Sequence, residues 1–289
     1  MDSITHTLFG LALYGAKKKD SESKSMKKSL FFTALVGSQI PDIDVLSQFT
    51  ATGEVMYQMW HRGLTHSVFM VPVWALIIWG CCAWIWKEKS IKLFLFGMLA
   101  VLIHDVSDLF NAWGTGFLEP FSAIRITFGT IPIVDLVFWI LIGGGYLLKR
   151  WKKWQSPLTF KWVWALMALH VAIQSSQGAI LSAEAKQKYN QTALSASFIP
   201  WHFTVVGKSG KQVEIVEAAV WKKPEVIATL ESQEQTDLRP LFQGNPKAKA
   251  LFSWAPFVVV VDNEEALGIY DPRFYRNGES FLYEAIEKK

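Results

Sequence analysis

Long apolar runs separated by short polar linkers dominate the first two thirds of the chain. A helix needs about 20 apolar residues to cross a bilayer core. Four runs approach or reach that length, namely residues 68–86, 91–110, 131–148 and 160–181. Residues 28–46 are a fifth candidate that ends in a polar segment, and residues 4–16 are a shorter sixth. The pattern predicts a mainly α protein with a polytopic helical membrane domain.

The pattern changes near residue 184, where basic and acidic side chains become mixed as on a soluble surface. Two alternating stretches, 201–206 and 212–221, flank Lys208-Ser209-Gly210-Lys211 and predict a β-hairpin. Residues 224–234 predict a helix, because Pro224 would occupy its first turn. Further strands are predicted at residues 257–261 and 267–270.

Two domains follow from this change in pattern. Residues 1–183 are predicted to form the helical transmembrane domain, and residues 184–289 a small C-terminal α+β soluble domain. The linkers 17–28, 87–92 and 149–161 hold 14 basic residues, whereas the alternate connections hold only two, Arg62 and Arg125. Because cytoplasmic loops are rich in Lys and Arg, we expect these three linkers inside and the soluble domain outside the cytoplasm.

Composition favours a membrane protein over a soluble one. Hydrophobic residues make up 51% of the chain and charged residues 19%, with a mean hydropathy of +0.21. Soluble domains usually carry about 25% charged residues. The net charge of +4 lies in short blocks between apolar runs, so we expect the lipid bilayer as a partner and no nucleic acid. No feature of the sequence indicates a protein partner.

Residues able to bind a metal recur where the predicted helices begin or end. Under the predicted topology they all lie at the outer ends of the helices: His6, Asp42, Asp44, His61, His66, His104, Asp108 and Asp135. His104 and Asp108 are four residues apart and share one helix face. Charges in membrane segments are normally paired, hydrated or bound to metal. Imidazole with carboxylate suits Zn²⁺, with Mn²⁺ or Fe²⁺ as alternatives, and the number of ions stays open.

Each of these residues also has a simpler structural interpretation. A lone helical histidine often packs in a core, and Asp44 could cap a helix end. Asp42 follows Pro41 and could serve only a turn, although it is also the candidate for a catalytic base. Arg62 and Arg125 are catalytic candidates, since either could hold an anionic oxygen. They are equally well explained as interfacial anchors. For Asp105 we favour a structural role.

Several motifs occur in the order found in one known family. They are Asp2-Ser3-Ile4-Thr5-His6-Thr7, Pro41-Asp42-Ile43-Asp44, His61-Arg62-Gly63-Leu64-Thr65-His66-Ser67, His104-Asp105-Val106-Ser107-Asp108, Asn111-Ala112-Trp113-Gly114-Thr115 and Pro120-Phe121-Ser122. This set resembles the YdjM-like bacterial inner-membrane proteins, described as metal-dependent hydrolases. The resemblance is strong over about residues 1–150.

The resemblance implies a bacterial inner-membrane location and a functional set of residues. That set is His6, Asp44, His61, His66, His104 and Asp108, with Asp42 and Asp135 as additions. The family is in turn distantly similar to the zinc-dependent phospholipase C and single-strand nuclease superfamily, whose His-x-x-x-Asp pair His104 and Asp108 resemble. This chain lacks several of the other ligands of that superfamily.

Two functions from different classes follow. The first is a membrane-embedded metal-dependent hydrolase that acts on a phosphoester or lipid-linked substrate at the outer face of the membrane. The second is a non-enzymatic metal-binding or sensory membrane protein. Transport is less favoured, because the polar residues gather at one end of the predicted helices instead of running through the midplane.

Overall fold

The computed structural model describes residues 1–288, and the chain folds into two compact units. The first unit comprises Met1–Asp44 and Arg62–Ser175, and the second comprises Val45–His61 with the chain from Ser176 onward. The division into domains 1–183 and 184–289 stays a prediction.

Ten α-helices are assigned in the described part of the chain. They are α1 Ser3–Ala16, α2 Lys24–Gly37, α3 Ala51–Val55, α4 Tyr57–Trp60, α5 Val71–Ile85, α6 Ile91–Asp108, α7 Leu136–Trp151, α8 Ser156–Lys188, α9 Arg239–Gly244 and α10 Pro246–Trp254. Two short 3₁₀ segments, Ile40–Phe49 and Leu64–His66, carry site residues, and a third spans Pro272–Phe274.

Local sequence explains where the helices of the first unit begin. Asp2 caps α1 by accepting hydrogen bonds from the backbone nitrogens of Ile4 and Thr5. Ser23 and Ser90 cap α2 and α6 in the same way. Such caps satisfy backbone donors that a helix start leaves unpaired. The helices pack through buried apolar side chains, among them Phe9, Ile142, Phe160 and Met167.

The prediction of a polytopic helical membrane domain is wrong. Among residues 1–288, α8 is the one helix long and apolar enough to cross a membrane. A second crossing is counted only if the bent pair Tyr57–His66 and Val71–Ile85 is taken as one span. The orientation predicted from alternate linkers depended on six crossings, so it loses its basis.

The polytopic prediction is wrong because the apolar runs in the sequence are longer than the helices that form within them. In the run 68–86 only the 15 residues of α5 are helical, which gives about 22 Å at 1.5 Å per residue. The run 131–148 becomes helical only at Leu136. The helix α6 has 18 residues but includes Lys92, Asp105 and Asp108.

The second unit contains the β-structure. Its strands are β1 Gln191–Ala196, β2 Phe203–Ser209, β3 Gln212–Ala219, β4 Lys222–Glu231, β5 Val259–Asp262, β6 Ala266–Tyr270, β7 Tyr275–Arg276, β8 Glu279–Ser280 and β9 Tyr283–Glu287. They form antiparallel sheets in the orders β1-β2-β3-β4, β5-β6-β9 and β7-β8. Phe203, Val205 and Val216 are buried against Leu181 and Ala185 of α8.

The predicted hairpin is confirmed: β2 pairs with β3 in a register that sets Ser209 opposite Gln212. Gly210 takes a φ of +59° in its turn, a conformation that glycine adopts without strain. The predicted helix at 224–234 is wrong, since that segment lies mostly in β4, paired with β3. As the edge strand of its sheet, β4 tolerates Pro224, which lacks a backbone donor.

Candidate metal centre

Four side chains of the first unit converge into one cluster, which we call the metal centre: Asp42, His66, His104 and Asp108. One ligand atom from each lies within 4.8 Å of every other. Asp42 and His66 come from the two 3₁₀ segments, and His104 and Asp108 from the last turns of α6. The i, i+4 spacing of the last two places both side chains on one helix face.

The distances within the metal centre match those around a tetrahedral zinc ion. His66 Nε2 lies 3.2 Å from His104 Nε2, 3.3 Å from Asp42 Oδ1 and 3.5 Å from Asp108 Oδ2. His104 Nε2 lies 3.6 Å from Asp42 Oδ1 and 3.8 Å from Asp108 Oδ2. Metal–ligand bonds of about 2.0–2.2 Å in a tetrahedron separate the donor atoms by roughly 3.3–3.6 Å.

The other ring nitrogens fix the direction of both imidazoles. His104 Nδ1 donates to the Ser38 carbonyl at 2.8 Å, so in the neutral ring Nε2 carries a lone pair. His66 Nδ1 lies 3.0 Å from Thr65 Oγ1 and 3.4 Å from Asp44 Oδ2. Such outer partners orient metal-binding histidines. In the neutral rings, two Nε2 lone pairs therefore face each other and two carboxylates, an arrangement that suits a bound cation.

Burial sets the electrostatics of the metal centre. The side chains of His66, His104 and Asp108 are 0% exposed, whereas that of Asp42 is 18% exposed. Burial lowers the pKa of His104 to about 4, which keeps the ring neutral at pH 7 and able to bind metal. Burial alone would raise the pKa of Asp42. Hydrogen bonds from His104 and His66 outweigh burial and hold that pKa well below its usual range only while these rings carry a proton on Nε2.

Arg62 contacts Asp108 at the same carboxyl oxygen that lies near both imidazoles. Its Nε lies 3.1 Å from Asp108 Oδ2, and its terminal nitrogens donate to Asn111 Oδ1 at 2.6 Å and to the Met1 carbonyl at 3.1 Å. The amino group of Met1 pairs with Asp108 Oδ1. The sequence had indicated Arg62 as a holder of an anionic oxygen or as an interfacial anchor. In the structure it also contacts a carboxylate of the metal centre.

Three partners of the metal centre escaped the sequence analysis: Ser38, Asn111 and Met1. Asn111 opens the Asn111-Ala112-Trp113-Gly114-Thr115 motif, so its place in that motif was an available signal. Ser38 acts through its backbone carbonyl and Met1 through its backbone groups, which no residue-type pattern reveals.

His6 lies beside the metal centre but is not one of its four members. Its ring stacks on that of His104, with centroids 3.7 Å apart and planes 18° apart. Its Nε2 lies 3.3 Å from Asp108 Oδ1. Neither ring nitrogen has a hydrogen-bond partner in the described chain, although the ring is fully buried. His6 therefore contacts two members of the centre.

Asp44 and His61, both predicted as ligands, occupy different surroundings. Asp44 Oδ2 accepts from the Arg62 backbone nitrogen at 2.8 Å and from Thr65 Oγ1 at 3.0 Å. It thus contacts His66 on the Nδ1 side of the ring, and one of its oxygens lies within 4.8 Å of an oxygen of Asp42. His61 belongs to the second unit, where it follows α4 and stacks on Tyr57 at 5.1 Å.

The structure does not bring Asp135 to the metal centre. Its Oδ1 caps α7 by accepting from the backbone nitrogens of Val137 and Phe138. Its Oδ2 lies 3.0 Å from His170 Nε2, and both side chains are buried. Asp135 differs from the prediction because capping and one histidine already satisfy its two oxygens.

Arg125 and Asp105 lie outside the four-member centre. Arg125 donates to the carbonyl oxygens of Gly114 at 3.2 Å and Arg62 at 3.4 Å. Asp105 is 0% exposed, and neither carboxyl oxygen has a hydrogen-bond partner within residues 1–288. Burial raises the pKa of Asp105 to about 8, so it is largely protonated at pH 7.

The first unit is thus a helical domain with a buried His₂Asp₂ centre that could hold a metal ion. The chain belongs to the YdjM inner membrane protein family, which it matches over residues 1–181. It is 33% identical over 165 residues to the uncharacterized protein YfhP of Bacillus subtilis, an alignment covering 55% of this chain and 49% of that protein.

A second relative is the inner membrane protein YbcI of Escherichia coli, 26% identical over 159 residues. That alignment covers 45% of this chain and 88% of YbcI. The chain thus spans about half the length of YfhP and most of YbcI. No solved structure matches the chain. The protein is accordingly an inner membrane protein by family.

Proposed function

We propose that the protein is a metal-dependent hydrolase of the membrane that acts on a phosphoester or lipid-linked substrate. The observation that carries the proposal is the convergence of two imidazole nitrogens and two carboxylate oxygens within 4.8 Å. Zinc is the favoured ion because mixed imidazole and carboxylate donors at tetrahedral separations suit it. Manganese and iron accept the same donors.

Three members of the metal centre would hold the ion, and the fourth has a different role. His66, His104 and Asp108 are fully buried, a three-ligand set of the kind that catalytic zinc sites use. When bound, the ion supplies Lewis acidity that activates water and polarises the bond to be cleaved. Asp42 is the member that solvent reaches, so we assign it the role of general base, accepting a proton from the attacking water.

The two arginines supply positive charge around this chemistry. Arg62 keeps Asp108 oriented through the contact of its Nε and fixes its own position on Asn111. Arg125 lies against the backbone of Arg62 and adds a second positive charge near the site. Positive charge placed in advance stabilises an anionic transition state.

The test is hydrolysis by purified, zinc-loaded protein. The substrates are a p-nitrophenyl phosphodiester, a p-nitrophenyl phosphomonoester and vesicles of phosphatidic acid or phosphatidylglycerol. We expect turnover of at least one substrate by the wild type and none by His104→Ala or Asp108→Ala. Equal rates in the wild type and both variants would overturn the proposal.

A non-enzymatic metal-binding or sensory role is the second candidate, and one observation favours it. All four members of the metal centre together could complete a tetrahedral zinc shell, as in structural zinc sites. The variant Asp42→Asn separates the two roles. As a general base, Asp42 is needed for turnover while zinc binding is largely kept. As a fourth structural ligand, its loss lowers zinc content as much as His66→Ala does.

A further inference from the structure

An apolar cavity of about 510 Å³ lies in the first unit between α6 and α8. Its walls include Leu102 and Val106 of α6, Phe110 just after that helix, and Ala168 and Ala172 of α8. Ala168 and Ala172 are four residues apart, so α8 presents two small side chains to the cavity where larger ones would fill it. The volume falls within the roughly 300–1,000 Å³ typical of ligand sites.

The apolar cavity reaches the metal centre. Met1 lines it, and the amino group of Met1 pairs with Asp108. Ser107 also lines it, directly precedes Asp108 in α6, and donates through its Oγ to the His104 carbonyl at 2.8 Å. Phe9, another lining residue, contacts the ring of His6 edge to face. These contacts set the cavity next to the site, although its surface is almost wholly apolar and none of the four members of the metal centre lines it.

The helix that forms one wall is also the one that can cross a membrane. In α8 only 28% of the most apolar window is buried, whereas the core helix of a soluble protein is mostly buried. Trp164, Met167, Val171 and Ser175 of the same helix line the cavity with the two alanines. A cavity along such a helix lies where hydrocarbon chains are available, which is consistent with the inner membrane family.

We propose that the apolar cavity holds one hydrocarbon chain of a membrane lipid whose phosphoester headgroup lies at the metal centre. This rests on the proposed function and narrows its substrate to an amphiphile with a phosphoester and at least one long chain. The apolar walls accept the chain without any polar partner, and Met1, which lines the cavity and pairs with Asp108, connects them to the metal centre. Each additional buried methylene strengthens binding about fourfold.

The test uses photo-crosslinking of full-length protein in phosphatidylglycerol vesicles. The probe is phosphatidic acid with a diazirine near the end of one acyl chain, and adducts are located by peptide mass spectrometry. We expect adducts between Leu102 and Phe110, at the end of α6 and just after it, and on α8 between Trp164 and Ser175. The variants Ala168→Phe and Ala172→Phe fill the cavity and should reduce these adducts at least tenfold.

The matched control is Ala165→Phe, an exposed position on α8 that does not line the apolar cavity. It should leave the adducts unchanged. The milder Ala168→Leu, with thermal unfolding of all variants, separates a filled cavity from a misfolded protein. Equal adduct yields for Ala172→Phe and Ala165→Phe, or adducts spread around the whole surface of α8, would overturn the proposal.

A parallel measurement separates failure of this inference from failure of the proposed function. His66→Ala should lose zinc and keep the adducts, because the chain-binding walls do not include His66. Adducts in the cavity without hydrolysis by the wild type would refute the hydrolase and support a lipid-binding site. Hydrolysis of small phosphoesters with no adducts in the cavity would refute the chain-binding site alone.

Discussion

Each unit of the protein buries charged groups, and the two units differ in how those charges are compensated. In the second unit, Asp271 and Arg273 form a buried ion pair with contacts of 2.6, 3.0 and 3.1 Å. Asp271 Oδ1 also accepts from the Arg273 backbone nitrogen at 2.9 Å. In the first unit, two imidazole Nε2 atoms lie 3.2 Å apart with carboxylate oxygens around them, and when both rings are neutral with the proton on Nδ1 all of these atoms are acceptors.

The difference teaches how to separate a structural charge cluster from a functional one. Burying a charge is costly unless a partner compensates it. The Asp271–Arg273 pair is compensated within the chain, donor to acceptor. A bound cation would stabilise the facing nitrogens of the metal centre, which lack such a partner when both rings are neutral.

The largest expected effect is on the ion pair of the second unit. Asp271→Ala removes the carboxylate that pairs with the buried Arg273, so it should lower the free energy of unfolding by about 3–5 kcal/mol. The matched control is Asp237→Ala, which removes an exposed Asp-x-Arg pair with Arg239 and should change stability little. Urea unfolding measures both. Zinc content should stay the same in both variants. A loss of zinc in Asp271→Ala would contradict the purely structural role of the ion pair.

The next largest effect is the loss of a ligand. His66→Ala and His104→Ala should each weaken zinc binding by more than about 100-fold, since a lost ligand costs more than a lost outer partner. A competitive chelator titration measures the affinity. The control is His170→Ala, a buried histidine paired with Asp135. The contradicting outcome is that the wild type and all three variants bind zinc equally weakly. His66 would then be protonated and would only bridge Asp42 and Asp44.

A smaller effect is expected for Asp44, which contacts His66. Asp44→Ala should weaken zinc binding about 10–100-fold, because the carboxylate lies 3.4 Å from His66 Nδ1 and orients that ring without being one of the four members of the centre. Thr65→Ala, which removes the other partner of His66 Nδ1, tests the same orientation independently. A loss of zinc as complete as in His66→Ala would make Asp44 a ligand, as the sequence had predicted.

The smallest effect concerns His6. Because His6 stacks on His104 and lies outside the four members, His6→Ala should weaken zinc binding only about tenfold. Thr7→Ala, one residue further along α1, serves as the control. The motif resemblance had implied that His6 is a ligand. Zinc affinity as low in His6→Ala as in His66→Ala would support that interpretation over the positioning role.

The sequence indicated the residues of the centre better than it indicated the architecture around them. Asp42, His66, His104 and Asp108 stood out because ligand-type side chains recurred at the ends of apolar segments, and all four lie together in the structure. Asp135 also lies at the end of an apolar segment, yet it caps α7. A carboxylate that precedes a helix can cap the helix or bind a metal, and the sequence alone does not distinguish the two.

The membrane prediction failed for a different reason. Apolar length was counted along the sequence, but only helical length crosses a bilayer, and the turns before Val71 and Leu136 shorten α5 and α7. The helix predicted at residues 224–234 was wrong because Pro224 is compatible with both the first turn of a helix and an edge strand. Pairing with β3, a tertiary interaction, decided between them.

The most direct test of the central claim is X-ray absorption at the zinc edge of the purified, zinc-loaded wild-type protein, with metal content measured on the same sample. The account predicts about one zinc ion per chain, with two imidazole ligands and carboxylate oxygens at about 2.0–2.2 Å. Protein that retains no zinc after dialysis, or whose spectrum shows no imidazole scattering, would contradict the metal centre and with it the hydrolase.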